Sequence, residues 1–343
     1  MTITVYGDIT PRTAAYAVVE MLKRGMPHLC IEKFGQNYPI PTNSTKVAKF
    51  RRYYLQGASG MAGPDTGNFG QPLALTPLVE GVTPTGKKLV SKDYTATLQQ
   101  YGDFITISDV VRDTHEDPVL NQGIDVLGEQ SAQTIETVRF NILKAGTNVF
   151  YANGTMRTNV NTAISLNLQR NITRALQRQN GRMITQPVMS TPNYRTEPIE
   201  AAFIALCHPD LEKDIRALPG FISTKQYGTT TPWENEIGSV ERVRYLSSTI
   251  FEPWADAGGV AGGVVLSTTG TNADVYPILF LSRDAYGIVP LKGKASLTPM
   301  VVNPKPTAGD PLGQRGTVGW KAMTTALILA DQWMVRAEVA ATA

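Results

Sequence analysis

Residues 118–150 read PVLNQGIDVLGEQSAQTIETVRFNILKAGTNVF and hold the strongest periodic pattern of the chain. Apolar or small side chains recur there at alternating steps of three and four: Leu120, Ile124, Leu127, Ser131, Ile135, Val138, Ile142, Ala145 and Val149. The spacing places them on one face of a helix of about 32 residues, roughly 48 Å long. Asp117-Pro118 favours a helix start, and Asn153-Gly154 a stop. A helix of this length would project from a small globule unless it formed the spine of a flattened molecule.

Upstream of this helix, two strand-like runs flank an irregular stretch. Residues 46–56 alternate like a strand and carry four positive charges without an acid, from Lys46, Lys49, Arg51 and Arg52. Residues 94–108 are rich in Thr, Tyr and Ile, which favour strands. Residues 57–91 between them are rich in Gly and Pro. The pattern predicts a long hairpin whose irregular excursion serves a function, because compact domains rarely hold such loops.

The remaining segments complete an α+β pattern. Thr10-Pro11 and the apolar spacing after it predict a helical N-terminal arm that continues to about residue 34. Residues 165–310 alternate between predicted helices and strands, and the run from Gly316 to Ala337 predicts a strand that returns beside the long helix.

The amino-acid composition limits the classes of function that the chain can have. Charged residues make up 18% of the 343, below the usual quarter, which favours a surface partly covered by partners. A formal net charge of +3 is too small to argue nucleic-acid binding. No apolar stretch reaches the roughly 18 residues that span a bilayer, and the N-terminus lacks a signal-peptide pattern. We therefore expect a soluble, intracellular product in which Cys30 and Cys207 are structural thiols.

Residues 81–88 read GVTPTGKK and nearly match a phosphate-binding P-loop. Lys88 stands where a Ser or Thr hydroxyl should meet magnesium, and Pro84 removes a backbone N–H. The flanks predict turns rather than a strand leading into a helix, so we expect an exposed basic turn without ATPase activity.

Other catalytic signals are weak. His28, His115 and His208 lack metal-ligand spacing. Cys207-His208 is a poor thiol–imidazole pair, because adjacent strand residues point to opposite faces. The sequence therefore predicts no enzyme, no metal and no cofactor.

The stretch from Thr137 to Thr196 contains no acid but eight basic residues. Arg170, Arg174 and Arg178 recur every four residues and predict a basic ridge on one helix face. The ridge fits a solvated surface, a patch that sets the register between copies opposite acids such as Asp103 and Asp109, or a contact with DNA phosphates.

The order of arm, hairpin, long helix, α+β region and returning strand resembles the major capsid proteins of tailed bacteriophages, which have the Hong Kong 97-like fold. Over nearly the whole chain, the local sequence resembles that of the branch of this family typified by the coliphage N-four capsid protein. The segments that carry this likeness are YGDITPRTA (6–14), LVEGVTP (78–84), TLQQYGD (97–103), IET (135–137), ALCHPDL (205–211) and DPLGQRG (310–316).

The resemblance implies four parts: an N-terminal arm over 1–45, an extended loop over 46–108, a peripheral domain over 109–164 and 311–343 with its spine helix at about 118–150, and an axial domain over 165–310. It also implies a large homo-oligomer of pentamers and hexamers, an icosahedral shell around double-stranded DNA. The expected location is the virion capsid, which would be assembled in the host bacterial cytoplasm. The expected partners are a portal, a decoration or cement protein, and the packaged DNA through non-specific contacts. No membrane contact is expected. An encapsulin-like cellular compartment of the same fold is the alternative.

We expect contacts between copies or with DNA at three groups of residues. They are the hairpin cations Lys46, Lys49, Arg51 and Arg52, the loop residues Phe69, Leu78, Val79, Lys87 and Lys88, and the ridge residues Arg170, Arg174 and Arg178. Some relatives crosslink a loop lysine to an asparagine of a neighbour. Because that reaction also needs a correctly placed carboxylate and asparagine, we expect non-covalent locking or a decoration protein.

Overall fold

The computed structural model describes residues 29–41, 43–56, 74–110, 119–185, 201–227, 232–291, 297–302, 306 and 311–343. The helices are α1 (Val119–Leu143), α2 (Leu166–Arg178) and α3 (Glu212–Arg216). The strands are β1 (Gln36–Asn37), β2 (Val47–Leu55), β3 (Leu89–Thr97), β4 (Gln99–Ser108), β5 (Val149–Tyr151), β6 (Phe203–Cys207), β7 (Phe221–Ser223), β8 (Glu236–Val240), β9 (Val243–Ser247), β10 (Val275–Leu281), β11 (Tyr286–Pro290), β12 (Thr298–Val302), β13 (Arg315–Ile328) and β14 (Met334–Ala340). This mixture confirms the predicted α+β class.

The central sheet has the strand order β5-β14-β10-β6-β9-β8-β7. Every residue of β6 and β10 is buried, so these strands are continuous apolar runs rather than alternating ones. One face packs against α2 through Leu168, Ile172 and Leu176. The opposite face packs against Phe140 and Leu143 at the end of α1. Coverage on both faces explains the apolar runs.

The platform sheet is built around β13, which pairs along one edge with β4 and along the other with β12 and β11. The stripe of α1 covers one face, where Ile124, Leu127 and Ile135 pack near Val318 and Trp320. A Cβ at position 123 would lie 2.7 Å from the Ile105 Cδ1 atom. Gly123 therefore lets the helix approach the sheet closely.

The spine helix is shorter than predicted. It ends at Leu143 rather than near residue 150, and Val149–Tyr151 instead form β5, which runs parallel to β14. The Arg336 side chain donates to the carbonyl oxygens of Lys144 and Gly146 just beyond the helix end. Strand pairing with the distant β14 thus overrides the helical stripe after Leu143, in a stretch where Gly146 disfavours a helix.

The sheets divide the chain differently from the predicted domains. β11 and β12 fall in the stretch predicted as axial (165–310) but pair with β13 in the platform sheet. The predicted return strand over 316–337 is two strands separated by a 3-10 turn at Asp331–Trp333. Its first part lies beside α1 as predicted, whereas β14 joins the central sheet. The paired strands lie far apart in sequence, so local sequence patterns do not reveal that strands of one predicted domain pair with strands of another.

The long hairpin is present with altered limits. β2 pairs antiparallel with β3, which begins at Leu89. The predicted strand over 94–108 is interrupted at buried Leu98, so its first residues form the end of β3 and the rest forms β4. The predicted arm helix after Thr10 lies mostly in residues 1–28, outside the described residues. Ile31–Lys33 form a 3-10 turn. No helix in the described part of the chain is long and apolar enough to cross a bilayer.

Candidate assembly surfaces

The hairpin presents one packed face and one solvent face. Ala48 and Tyr54 of β2 are buried, whereas Val47, Lys49 and Tyr53 are exposed. Opposite them in β3, Ala96 is buried and Leu89 is 61% exposed. The alternation follows the pleat of a strand pair that rests on the body by one face only.

The predicted basic face of β2 is partly neutralised by its partner strand. The Arg51 guanidinium donates to both carboxylate oxygens of Asp93, at 2.7 and 3.0 Å, and Lys49 Nζ lies 3.4 Å from Asp93 Oδ2. These hydrogen bonds, led by those from Arg51, lower the pKa of Asp93 to about 2. Lys49, Arg51 and Asp93 therefore form an exposed ion-pair group, in which two cations share one carboxylate and one positive charge remains in excess. The sequence pattern missed the acid because it lies 42 positions away.

Arg52 lies on the opposite side of the same strand. Its guanidinium carbon lies 4.5 Å from the ring centroid of Trp333 and 5.4 Å from that of Tyr54. It therefore holds the hairpin against its own subunit, and its contact with a neighbour or with DNA stays a prediction. Lys46 lies at the base of the hairpin with an exposed side chain, and its carbonyl oxygen accepts from Leu98 N at 2.9 Å.

The described part of the excursion, residues 74–88, is exposed throughout. Its large apolar side chains include Leu75 (80% exposed), Leu78 (78%) and Val79 (67%). Lys87 and Lys88 are also exposed and lead directly into β3. The segment GVTPTGKK thus precedes a strand instead of a helix, so it lacks the geometry of a P-loop. Phe69, the remaining predicted contact of the loop, lies outside the described residues.

The face of the platform sheet that α1 does not cover carries exposed apolar side chains. Phe104 of β4, Gly319 of β13 and Met300 of β12 are aligned across three strands. Phe104 is 65% exposed, and Val302, two residues along β12, is 56% exposed. A Cβ at Gly319 would lie 2.8 Å from the Phe104 Cβ, so glycine leaves room for the ring. Sequence reasoning missed this patch, because no pattern within residues 99–108 shows which face of the strand the helix covers.

The basic ridge lies on the exposed face of α2, as its spacing predicts. Arg170 donates to Glu241 Oε1 at 2.8 Å, and Arg174 contacts the Asn171 side chain at 3.3 Å. Arg178 is exposed in the last turn of the helix. Arg170 is therefore paired within the subunit, which leaves Arg174 and Arg178 as the ridge cations without a carboxylate partner among the described residues.

A buried carboxylate on α1 fixes the chain that precedes the hairpin. Glu136 Oε1 accepts from the backbone N–H groups of Cys30 and Ile31, at 2.8 and 2.6 Å. Burial raises the pKa of Glu136 to about 7, although Arg139 and the two N–H groups oppose the shift. Tyr286 donates to the carbonyl oxygen of Ile31 at 2.5 Å. These contacts attach the end of the N-terminal arm to the spine helix.

The candidate thiol–imidazole pair does not form. The Cys207 thiol is fully buried and donates to the Leu246 carbonyl, and burial raises its pKa. His208 instead accepts from the backbone N–H of Asp210, and burial lowers its pKa. In the ranges that the structure covers, no group of three or more His, Cys, Asp or Glu could hold a metal ion.

Comparison with known families gives one match. The family model described as "Phage capsid protein" matches residues 92–337, well over half of the chain. No curated protein sequence matches the chain.

Solved structures give three informative likenesses. The capsid of Ralstonia phage GP4 has a TM-score of 0.62 at 15% identity, with 90% of this chain and 87% of that chain covered. The capsid of Cyanophage P-SCSP1u has a TM-score of 0.56 at 12% identity, covering 99% and 93%. The SrpI encapsulin complex from Synechococcus elongatus has a TM-score of 0.52 at 10% identity, covering 99% and 92%. At these identities the likeness concerns the fold.

Proposed function

Because the chain belongs to the phage capsid protein family, we propose that it is the major capsid subunit of a tailed phage, assembling as pentamers and hexamers into an icosahedral shell around double-stranded DNA. Its fold is Hong Kong 97-like, as the sequence predicts. The observation that carries the proposal is the pair of exposed apolar surfaces on the loop and on the platform sheet. Contiguous exposed apolar surface commonly marks a protein–protein contact.

The two surfaces suit each other as halves of one contact between copies. The loop carries Leu75, Leu78 and Val79 in an extended chain, and the platform face offers Phe104, Met300 and Val302. Burying a large apolar side chain stabilises a contact by roughly 1.5–3 kcal/mol. We propose that the loop of one subunit lies across the platform face of its neighbour. Such a head-to-tail contact closes into rings when the rotation permits, as pentamers and hexamers require.

The charged residues add specificity to this contact. Lys87 and Lys88 lie beside the apolar loop, and we propose that they meet acidic surface on the neighbour. Lys49 and Arg51 present further positive charge on the outer face of the hairpin, and Lys46 is exposed at its base. Complementary charge sets the register and the rate of association more than it sets affinity.

Arg174 and Arg178 are proposed to make non-specific contacts with the packaged DNA. Their exposed guanidinium groups suit phosphate oxygens. A portal and a decoration or cement protein complete the proposed partners, and the proposed place of assembly is the host bacterial cytoplasm.

An encapsulin-like compartment is the second candidate, because the SrpI encapsulin shares the fold over nearly the whole chain. The match to the phage capsid family favours the phage capsid. Particles isolated from cells separate the two: a phage shell holds nuclease-protected double-stranded DNA, whereas a compartment holds a protein cargo.

Electron microscopy of the purified protein tests the shell itself. Uniform closed particles are expected for the natural sequence. Leu78→Asp and Phe104→Asp should each abolish them while the subunit stays folded, because each buries a charge in the proposed contact. Val126→Asp is the matched control, since Val126 is 57% exposed on α1 outside this contact. Closed particles from both Asp variants at the normal yield would refute the proposed contact.

A further inference from the structure

A cluster of three cations surrounds Trp254 at the junction of the spine helix and the central sheet. Arg157 lies with its guanidinium carbon 3.7 Å from the ring centroid of Trp254, Lys144 Nζ lies 5.6 Å from it, and the Arg336 guanidinium carbon lies 5.6 Å from it. These residues come from the turn after α1, from a 3-10 turn at Arg157–Asn159, and from β14. We call Lys144, Arg157, Arg336 and Trp254 the junction cluster.

A single buried carboxylate serves two of the three cations. Glu338 is fully buried, and its oxygens accept from Arg157 at 2.8 and 2.8 Å and from Arg336 at 2.9 Å. Arg336 also donates to backbone carbonyls just beyond α1. The geometry of these two guanidinium groups is therefore set before any ligand arrives.

Lys144 is the member of the junction cluster whose ammonium N–H donors have no carboxylate partner among the described residues. Its ammonium lies over the rings of Phe140 and Trp254, and it makes no ion pair within the described residues. Partial burial lowers the pKa of Lys144, and the repulsion from Arg157 adds to this, while the exposed Glu252 opposes it. The junction cluster thus holds more positive charge than its carboxylates balance, beside a half-buried aromatic ring.

We propose that the junction cluster binds a phosphate group through Lys144, with Arg157 and Arg336 supplying the positive field. A tetrahedral phosphate accepts several hydrogen bonds at once, and ammonium and guanidinium groups bind it by charge-assisted bonds. The neighbouring sequence favours an anion, because residues 137–196 contain no acid. The phosphate source is either free inorganic phosphate or the backbone of DNA. The inference goes beyond the shell, since the subunit alone should bind.

The test uses the purified full-length subunit at low, constant ionic strength. It is titrated with sodium phosphate and, separately, with a short double-stranded oligonucleotide, and both heat and tryptophan fluorescence are recorded. Lys144→Gln should weaken binding about tenfold or more, because a charge-assisted hydrogen bond is lost. Lys144→Arg should retain most of it. Lys225→Gln removes the same charge from an exposed turn that follows β7 of the central sheet, and it should change affinity less than about twofold.

Phosphate binding that Lys144→Gln weakens supports the site with free phosphate as the source, and oligonucleotide binding alone, weakened in the same way, supports it with DNA as the source. Absence of binding to either ligand overturns the proposal, and so does binding that Lys144→Gln and Lys225→Gln reduce equally. A third result also overturns it: loss of closed particles in Lys144→Gln, when the natural subunit binds neither ligand, would assign Lys144 to a carboxylate of a second copy. Thermal unfolding without phosphate checks that each variant folds.

Discussion

The central sheet and the hairpin with its loop differ in how far their strands are buried within the subunit. In the central sheet, β10 has a partner on each edge and helices or turns over both faces, and all its side chains are buried. In the hairpin, β2 and β3 pair with each other alone, and the loop between them exposes every residue of its described part. A two-stranded ribbon is marginal by itself in water. One region is therefore complete within the subunit, whereas the other is the region that we propose a neighbour completes.

The largest expected effect on folding lies in the central sheet. Phe280 is fully buried in β10, and Phe280→Ala should lower the free energy of unfolding of the subunit by about 3–5 kcal/mol through the cavity it leaves. Phe104→Ala is the matched control, because it removes the same ring from the exposed platform face. It should cost the subunit less than about 1 kcal/mol and still reduce the yield of shells. Equal losses of subunit stability in urea titrations would contradict the comparison.

The next largest effect is on the pH dependence of subunit stability, to which a buried carboxylate and an exposed one should contribute in different pH ranges. The pKa of Glu136 is about 7 in the folded chain and near its ordinary 4.5 when unfolded, so the folded state binds the proton more tightly. The stability of the subunit should therefore fall as the pH rises from about 4.5 to 7, by an amount on the order of 3 kcal/mol from this group.

Glu136→Gln keeps an oxygen acceptor for the N–H groups of Cys30 and Ile31 and should flatten the pH dependence in that window. Asp93 of the hairpin has a lowered pKa, so its contribution is lost only as the pH falls from about 3.8 towards 2. Asp93→Asn should accordingly leave the profile between pH 4.5 and 7 unchanged. Thermal unfolding across pH 4–8 measures both variants, and an unaltered slope in Glu136→Gln would show that another group sets it.

A smaller effect should distinguish two adjacent arginines. Arg52→Ala removes the contact with the Trp333 ring and should destabilise the attachment of the hairpin by about 1 kcal/mol. Arg51→Ala breaks an exposed ion pair with Asp93, and its effect on the subunit should be smaller. Hydrogen exchange in β2 and β3 provides the readout. Faster exchange in Arg51→Ala than in Arg52→Ala would reverse the assignment of the two faces.

The smallest effect on the subunit is expected at the loop. Val79→Ser changes a side chain that is 67% exposed, so the subunit should lose less than about 0.5 kcal/mol. The same change should lower the yield of shells, because the lost apolar contact lies between copies. Chemical denaturation and particle counting measure the two quantities. A loss of subunit stability matched by normal shells would place Val79 in an internal contact.

Sequence reasoning reached the parts of the molecule that local periodicity determines. Ile124, Leu127 and Ile135 lie on the buried face of α1, as the three-and-four spacing requires. It failed at Val149, because the pairing of that residue with Arg336 joins positions nearly 190 apart, a long-range contact that carries no local signal.

The candidate surfaces show the same division. The exposed face of α2 with Arg174 follows from helical spacing alone. The opposite roles of Arg51 and Arg52 were available from strand alternation, but their partners Asp93 and Trp333 emerge only from the packed chain. The patch around Phe104 depends on which face of β4 the helix covers, and no pattern within β4 decides that. The predicted domain limits over 165–310 and 311–343 do not coincide with the sheets for the same reason, since β12 and β14 pair with strands outside their own segments.

Proteolysis of the loop tests the central claim most directly. Lys87 and Lys88 are exposed trypsin sites at the end of the segment proposed to lie across a neighbour. Unassembled subunits and closed shells at equal protein concentration are digested with trypsin, and cleavage after these two lysines is followed by mass spectrometry. We expect rapid cleavage in the unassembled subunit and at least tenfold slower cleavage in shells, because cleavage requires local opening that the contact opposes. Cleavage at the same rate in both forms would show that the loop is not held by a neighbour.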